Sequence, residues 1–310
     1  MSAGNDFAHQ PVMLEEVMAM WPGRIDGVYV DATFGRGGHS RALLERLGPE
    51  ARLVGIDQDP QAVAIGKQLE RADARFRIIA ARFDCLDQLV ADLGCQLDGV
   101  LLDLGVSSPQ LDDASRGFSF LRDGPLDMRM NPEAGETAAA WLARAKEKEI
   151  ADVLYQYGEE KKSRRIARRI CESREQAPLT RTVQLAELIE RAIGRGEPGK
   201  HPATRSFQAI RIFINQELQA LERTLSQTIS ALAPAGRLLV ISFHSLEDRI
   251  VKQFIRDQSG RAPQPRGLPI APPPVLLRPL GKAVRASEQE IRVNPRARSA
   301  VLRIAERVAA

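Results

Sequence analysis

Three aspartates of this chain follow short apolar runs, each at a point where a buried strand is predicted to end. Asp31, Asp57 and Asp103 occupy these positions. Open sheets of parallel strands bind their ligands in the crevice beside the carboxyl ends of the strands. A carboxylate at such an end can accept hydrogen bonds and attract a positively charged ligand. The three aspartates are therefore predicted to belong to one site.

A glycine-rich turn follows Asp31 and leads into a predicted helix. Gly35 and Gly37 allow backbone N–H groups of this turn to approach a ligand closely, although such a turn also forms without a ligand. Asp57 comes 22 residues after Gly35, at a spacing where a carboxylate accepts hydrogen bonds from ribose hydroxyls. Together the turn and Asp57 predict a site for an adenine nucleoside.

Two features of the turn favour S-adenosylmethionine over a dinucleotide. The dinucleotide fingerprint requires glycine at three positions, and this chain has Ser40 at the third. Asp31 lies four residues before Gly35, where its charge would repel a pyrophosphate but suit the ammonium and sulfonium groups of S-adenosylmethionine. These features favour a methyltransferase over a dehydrogenase. Capping of the strand end or of the turn is the alternative role for Asp31.

Asp103 is predicted to lie beside the methyl group of the donor. An exocyclic amine of a nucleobase is a poor nucleophile, because its lone pair is delocalised into the ring. Asp103, together with a backbone carbonyl of the following turn, can accept the N–H hydrogens and hold the nitrogen in line with the methyl group. Capping of a turn, or a contact with the cofactor alone, is the alternative role for this carboxylate.

Strands and helices alternate over the first hundred residues, as in a parallel, doubly wound sheet. The apolar runs predict strands at 28–31, 52–57, 77–80 and 97–104. The pattern then breaks, because residues 107–132 are rich in Gly, Pro, Ser and Asp, and residues 138–193 have helical periodicity without strands. This part of the chain is predicted to be an insertion.

The alternating pattern resumes with one long helix predicted at 207–232, a turn at 233–236 and strands at 237–242 and 299–304. The predicted fold class is α/β, a Rossmann-like methyltransferase sheet with an inserted, mostly helical second domain. The sheet domain is assigned to 1–110 and 213–310, and the inserted domain to 111–212. The proline-rich stretch 262–279 is predicted to be a surface loop.

Charge is distributed unevenly along the 310 residues. Of the 44 Lys and Arg residues, 31 fall after residue 140, against 18 of the 40 Asp and Glu residues. A basic second half beside an acidic first half indicates separate surfaces for a polyanion and for a small molecule. The three cysteines form no Cys-x-x-Cys pair and the four histidines are scattered, which favours neither a disulfide framework nor a metal site. With no long apolar run, a cytoplasmic protein without membrane association is expected.

A cation-rich run at 161–169 holds six Lys and Arg residues within nine positions, several of them three or four residues apart on a predicted helix. Such a stripe can follow the phosphates of RNA, and a solvated helix face paired with neighbouring glutamates is the alternative. Further contacts to RNA are predicted at His201, Arg205, Arg211, Arg296 and Arg298. His244, one histidine at a strand end, is predicted to be structural rather than a general base.

Longer motifs give the chain a specific resemblance. Asp103 with the stretches 110–120 and 123–130 closely resembles the bacterial 16S ribosomal RNA cytosine-N4 methyltransferases, the MraW family. Further matches lie at 201–211, 242–249 and 294–299, so the resemblance covers nearly the whole chain. It implies methylation of N4 of a cytosine in the decoding centre of the RNA, with S-adenosyl-L-methionine as the cofactor and the small ribosomal subunit as the partner.

The resemblance also implies a set of residues that contact the cofactor. They are Gly37, Gly38, His39, Asp57, Phe83, Asp103 and Gln110, to which the residues themselves add Asp31 and Gly35. Phe83 would line the adenine pocket, and a core position after the third strand is the alternative. The predicted RNA contacts on the cation-rich run are Lys161, Arg164, Arg165 and Arg168.

Two other classes of protein are compatible with parts of this pattern. A non-catalytic RNA-binding or ribosome-assembly factor could keep the nucleoside pocket as a vestige or a sensor, but the intact glycine turn, Asp57 and Asp103 disfavour it. An NAD-dependent oxidoreductase is disfavoured by Ser40 and Asp31. Whether the protein is a monomer or a homodimer is left open.

Overall fold

A computed structural model describes residues 11–194, 201–261 and 274–309. The contacts between Cα atoms divide these residues into two compact units. The first contains the chain up to Gly105 and from Ala220 onward, and the second is Val106–Gln219. The sequence placed the corresponding boundaries at 110/111 and 212/213. Most of the proline-rich stretch 262–279 lies outside the described residues.

The first unit is built on an eight-stranded sheet. Its strands are β1 (Val28–Asp31), β2 (Arg52–Asp57), β3 (Phe76–Ala80), β4 (Leu97–Asp103), β5 (Leu232–Ser242), β6 (Leu277–Pro279), β7 (Val284–Arg285) and β8 (Val301–Arg307). The order is β3-β2-β1-β4-β5-β8-β6, with β7 also paired to β8. Strands β1 to β5 are parallel, whereas β8 runs antiparallel to β5. This confirms the predicted α/β class and adds an antiparallel edge.

The helices are α1 (Leu14–Met20), α2 (Gly38–Leu44), α3 (Pro60–Ala72), α4 (Leu86–Leu93), α5 (Ser108–Asp112), α6 (Ala138–Arg144), α7 (Glu147–Gly158), α8 (Ser163–Gln176), α9 (Thr182–Ile193), α10 (Thr204–Asn215), α11 (Glu217–Ala231), α12 (Ser245–Gln258) and α13 (Glu288–Val293). Helices α5 to α10 belong to the second unit, which has its own apolar core.

Both faces of the sheet are buried, as expected for parallel strands covered by helices. In β4, Leu101 joins an apolar cluster that includes residues of α1 and α2. Val100 and Leu102 join a second cluster that includes residues of α11 and α12. Side chains alternate along a strand, so Asp103, two residues after Leu101, lies on the face that α2 covers. This alternation brings the end of β4 and the start of α2 to one site.

The long helix predicted at 207–232 is wrong, because the structure has two helices there. Helix α10 ends at Asn215, Gln216 takes a left-handed conformation with φ of 51°, and α11 begins at Glu217. No glycine or proline marks the break, so the sequence gives no local signal for it. Arg211 and Glu217 form two hydrogen bonds of 2.9 Å across the break and stabilise it.

The turn predicted at 233–236 falls inside β5 in the structure. Ala235 has φ of 64°, and the register between β4 and β5 shifts between the pair formed by Leu97 and Leu232 and the pair formed by Gly99 and Arg237. The apolar part of the strand, from Arg237 onward, is as predicted. The turn signal therefore marks an irregularity within the strand rather than its beginning.

Candidate active site

The three aspartates end three neighbouring strands. Asp31 is the last residue of β1, Asp57 of β2 and Asp103 of β4, and β1 lies between β2 and β4 in the sheet. The carboxyl ends of parallel strands meet at one edge of the sheet, which is where open α/β sheets bind ligands. The structure thus places all three predicted carboxylates at that edge.

The glycine turn is fastened to the end of β2 by hydrogen bonds. The N–H of Phe34 donates to the carbonyl of Ile56 at 3.0 Å, and the N–H of Gly35 donates to Oδ2 of Asp57 at 2.8 Å. Gly35 and Gly37 have φ of 55° and 73°, a region that favours glycine. The turn and Asp57 therefore form one structural piece, which keeps the carboxylate beside the backbone of the turn.

Asp57 also accepts a hydrogen bond from the N–H of Asp59 at Oδ1, at 2.9 Å. Burial raises the pKa of Asp57 from its ordinary value of 3.8 to about 6, and the backbone hydrogen bonds from Asp59 and Gly35 oppose that rise. Nearby Asp31 raises the pKa further. Each carboxylate oxygen accepts one backbone hydrogen bond and has a second lone pair available, as recognition of a ribose diol requires.

This raised pKa predicts a pH dependence of stability. A group with a higher pKa in the folded state contributes stability that is fully present below its unfolded pKa and is lost as the pH rises through its folded pKa. Relative to Asp57→Asn, the wild-type free energy of unfolding is therefore expected to fall between pH 4 and about pH 6. Urea unfolding of both proteins across this range measures it. Parallel profiles for the two proteins would contradict the assignment.

Asp31 is buried and holds the start of α2. Its Oδ2 accepts a hydrogen bond from Oγ of Ser40 at 2.7 Å, and its Oδ1 accepts one from the N–H of Thr33 at 3.4 Å. Burial raises the pKa of Asp31, and the hydrogen bond from Ser40 lowers it. These contacts agree with the capping role, and the contact with a cofactor stays a prediction.

Asp103 is held through its backbone, while its carboxylate lacks close partners. The N–H of Asp103 donates to Oγ1 of Thr33 at 2.6 Å. Its Oδ2 lies 3.6 Å from Nε2 of His39, and within the described part of the chain its buried Oδ1 has no hydrogen-bond partner. An unpartnered buried carboxylate oxygen is unfavourable, so this atom is a candidate acceptor for a hydrogen bond from a ligand.

Two cofactor contacts implied by the resemblance lie in more structural settings. Phe83 begins a 3-10 turn after β3 and packs, half-buried, against an apolar cluster of the first unit. Gln110 lies on α5 in the second unit, where its Oε1 accepts a hydrogen bond from the N–H of Ser107 at 2.9 Å. The N–H of Gln110 donates back to Oγ of Ser107 at 3.4 Å. The contacts of Phe83 and Gln110 with a cofactor stay predictions.

The cation-rich run forms an exposed face beginning just before α8. Lys161, Arg164, Arg165 and Arg168 are all exposed, whereas the apolar side of α8 is buried in the core of the second unit. No ion pair engages the first three within the described ranges, and Arg168 lies only loosely beside Glu147, at 3.9 Å. Arg169 does pair with Glu172, at 2.9 Å. Most of the face is therefore available to phosphates.

The cations predicted near the start of the long helix are engaged within the second unit. The guanidinium of Arg211 binds the carboxylate of Glu217, with 15% and 8% of the two side chains exposed. His201 stacks on Phe120 with ring centres 4.6 Å apart, and Arg205 donates to the carbonyl of Glu159 at 3.2 Å. Of the predicted RNA contacts, Arg211 therefore has the clearest structural role.

Arg296 and Arg298 are exposed in the first unit, on a 3-10 turn that leads into β8. Because Val301 pairs with Ser242 at the end of β5, this turn lies at the same edge of the sheet as the three aspartates. Sequence reasoning missed Arg285, which pairs with Val301 from β7 and is also exposed. A strand of only two residues, such as β7, leaves no detectable pattern in the sequence.

His244 lies at a capping position, which agrees with the predicted structural role. It precedes α12, where its Nδ1 accepts a hydrogen bond from the N–H of Glu247 at 3.4 Å. The buried carboxylate of Glu247 in turn accepts hydrogen bonds from the N–H groups of Phe243 and His244.

Sequence reasoning missed the roles of Thr33 and Ser40, which bind Asp103 and Asp31, because short polar side chains in a turn are common.

The described residues contain neither a cluster suited to a metal ion nor a helix suited to crossing a membrane. Within these ranges no group of three or more His, Cys, Asp or Glu side chains is arranged to hold a metal ion. None of the helices there combines the length and apolar character that crossing a membrane requires.

Comparison with known proteins identifies the family of this chain. The MraW methylase family matches residues 6–308. The ribosomal RNA small subunit methyltransferase H of Alcanivorax borkumensis is 66% identical, over 98% of each chain, and that of Thioalkalivibrio sulfidiphilus is 59% identical, over 97% of this chain and 98% of its own. A solved rRNA methylase from Streptococcus thermophilus is 10% identical with a TM-score of 0.40, covering 92% of this chain and 89% of its own. The chain belongs to the MraW methylase family.

Proposed function

We propose that this protein transfers a methyl group from S-adenosylmethionine to the exocyclic N4 of a cytosine in the decoding centre of 16S ribosomal RNA. The observation that carries the proposal is Asp103, whose unpartnered Oδ1 lies at the carboxyl end of β4 in a methylase family member. The relatives named as small-subunit rRNA methyltransferases support the choice of RNA. With this substrate, the protein would act in the cytoplasm.

The residues present fit the cofactor. Asp57 offers a free lone pair on each oxygen for the ribose hydroxyls, and the N–H groups of the glycine turn lie beside it. The buried carboxylate of Asp31 and the half-buried carboxylate of Asp103 supply negative charge at the same edge of the sheet, which suits a cationic ligand. When bound, S-adenosylmethionine supplies an electrophilic methyl group on a sulfonium.

Asp103 is assigned to the target amine. Its Oδ1 accepts a hydrogen bond from an N–H of N4, which reduces delocalisation of the nitrogen lone pair and fixes its direction. As the C–N bond forms, the methyl–sulfur bond of the donor breaks and leaves a neutral thioether, and N4 becomes positively charged. The carboxylate would stabilise this charge until N4 gives one proton to solvent. Preorganised negative charge at the place where positive charge develops is thus the main contribution of the chain to catalysis.

RNA binding is assigned to exposed cations on each unit. The second unit offers Lys161, Arg164, Arg165 and Arg168, and the first unit offers Arg296 and Arg298. Contacts with phosphates provide affinity without sequence information, so these residues would position the RNA rather than choose the base. All of these cations lie in the basic second half of the chain, after residue 140.

Charge reversal on α8 tests this assignment. The double substitution Arg164→Glu and Arg165→Glu is expected to weaken binding of a 16S RNA fragment and to reduce the slope of log affinity against log salt by about 0.7–0.9 per lost phosphate contact. Affinity for S-adenosylmethionine should stay unchanged. Fluorescence anisotropy at several salt concentrations measures the RNA affinity and its salt dependence.

A charge-matched control is available in the same unit. Arg144 pairs with Glu136 and Arg191 with Glu187, and both arginines are exposed. The double substitution Arg144→Glu and Arg191→Glu changes the net charge equally and should affect RNA binding much less. If both pairs behave alike, the face beginning before α8 is only a solvated surface.

One labelling experiment distinguishes the proposal from the other two classes. Protein is incubated with tritiated S-adenosylmethionine and either free 16S RNA or isolated small subunits, and NADH binding is measured in parallel. Incorporation of label into cytosine supports the proposed methyltransferase activity. Binding of RNA without incorporation into either substrate would favour an assembly factor, and NADH binding without methyl transfer would favour an oxidoreductase.

A further inference from the structure

His39 is a buried residue whose side chain makes no hydrogen bond to the described residues. It is the second residue of α2, and only 5% of it is exposed. Neither Nδ1 nor Nε2 has a hydrogen-bond partner in the described part of the chain. Buried polar groups are nearly always hydrogen-bonded, so a histidine with two unpartnered nitrogens requires an explanation.

The carboxylate of Asp103 lies beside this histidine. Nε2 of His39 lies 3.6 Å from Oδ2 of Asp103, slightly too far for a hydrogen bond. Hydrogen bonds hold the chain next to both residues. After His39, Oγ of Ser40 donates to Oδ2 of Asp31 at 2.7 Å, and the N–H of Asp103 donates to Oγ1 of Thr33 at 2.6 Å. A small rotation of the imidazole or of the carboxylate is enough to close the gap.

We propose that His39 is a positioning residue for Asp103, donating a hydrogen bond from Nε2 to Oδ2 during methyl transfer. A carboxylate held at one oxygen cannot rotate about its Cβ–Cγ bond, so Oδ1 stays directed at the N–H of the target amine. Nε2 of His39 and Oδ1 of Asp103, the two ends of this arrangement, have no hydrogen-bond partner within the described ranges. The inference rests on the proposed function and adds to it the group that orients the carboxylate.

The charges around His39 agree with this role. Asp31 and Asp103 are the acidic groups that interact electrostatically with one another at this point, and the charge of His39 acts on Asp31. An imidazole that carries a proton on Nε2 can donate a hydrogen bond to Asp103. The role therefore requires a proton on this nitrogen.

Two substitutions of matched chemistry separate positioning from mere polarity. In His39→Gln the side-chain amide reaches about as far as Nε2, whereas in His39→Asn it reaches only about as far as Nδ1. Single-turnover rates are measured with saturating S-adenosylmethionine and small subunits. We expect the Gln variant to retain the rate within about threefold and the Asn variant to lose tenfold or more, the scale of a misplaced catalytic group. Because the cofactor is saturating, a weaker contact of His39 with S-adenosylmethionine, which the resemblance implies, does not change these rates, and calorimetry measures that contact separately.

A double-mutant cycle with Asp103→Ala supplies the second readout. If His39 acts through Asp103, His39→Asn should add little to the loss already caused by Asp103→Ala. Independent losses that multiply would overturn the proposal. So would a normal rate for His39→Asn at saturating cofactor combined with weakened cofactor affinity, because His39 would then be only a cofactor contact.

A measurement on the wild-type protein covers the case in which His39→Asn does not fold. In spectra of ¹⁵N-histidine-labelled protein with S-adenosylhomocysteine, the proton on Nε2 of His39 should be protected from exchange and should lose this protection in Asp103→Ala. Equal protection in both proteins would overturn the proposal. Failure of the wild-type enzyme to methylate cytosine would instead refute the proposed function.

Discussion

Asp103→Asn is expected to slow single-turnover methyl transfer about a hundredfold or more, the scale for losing one preorganised electrostatic group at a reacting centre. The substitution keeps the shape of the side chain but removes the negative charge. That charge stabilises the cationic nitrogen as the sulfonium loses its own charge, so the effect should appear in the chemical step rather than in binding. Asp103→Ala should be slower still, because no side-chain acceptor remains.

The assay must separate the reaction from cofactor binding and from folding. Saturating S-adenosylmethionine removes any contribution from a weaker cofactor contact, and thermal melting checks the fold. Asp92→Asn is a matched control, because Asp92 is an exposed carboxylate on α4 whose contact is with Gln88. The control should react at the wild-type rate. Near-normal methylation by Asp103→Asn would show that other groups carry the chemistry, with the backbone of residues 104–108 as the first candidate.

Asp57→Ala is expected to weaken S-adenosylmethionine binding by roughly 1.5–3 kcal/mol, the range for losing a hydrogen bond to a charged group, which is about 10–150-fold in affinity. Besides the proposed ribose contact, the substitution removes the acceptor for the N–H of Gly35, so the glycine turn loses its tie to β2. Calorimetry measures the affinity directly.

Asp57→Asn is the matched variant for this prediction. Its amide oxygen can still accept one backbone hydrogen bond, but the charge is gone, so its affinity should fall between those of wild type and Asp57→Ala. An unchanged affinity for Asp57→Ala, with the fold intact by circular dichroism, would remove Asp57 from the cofactor site.

The strands that carry the site could be predicted closely from sequence. Asp31 and Asp57 end β1 and β2 at the predicted residues, and Asp103 ends β4 one residue before the predicted limit. Such strands are continuous apolar runs bounded by turn residues, a pattern that a buried parallel sheet imposes locally. The carboxylates at their ends were visible for the same reason.

Contacts that depend on strand order or on a helix break could not be predicted from the sequence. His39 and Asp103 are far apart in sequence and meet because Asp103 lies on the sheet face that α2 covers. Arg211 and Glu217 are six residues apart, a separation that places side chains on different faces of a continuous helix. The break at Gln216 brings them together, so a residue predicted to contact RNA forms an internal ion pair.

The central claim, that this protein places a methyl group on N4 of a 16S cytosine through Asp103, is tested most directly by nucleoside mass spectrometry. Ribosomal RNA is isolated from cells lacking the gene and from the same cells supplied with wild-type protein or with Asp103→Asn. We expect the N4-methylated cytosine nucleoside of the decoding centre to disappear in the deletion strain, to return with wild type and to stay strongly reduced with Asp103→Asn. Undiminished N4 methylation in the deletion strain, or full restoration by Asp103→Asn, would contradict the account.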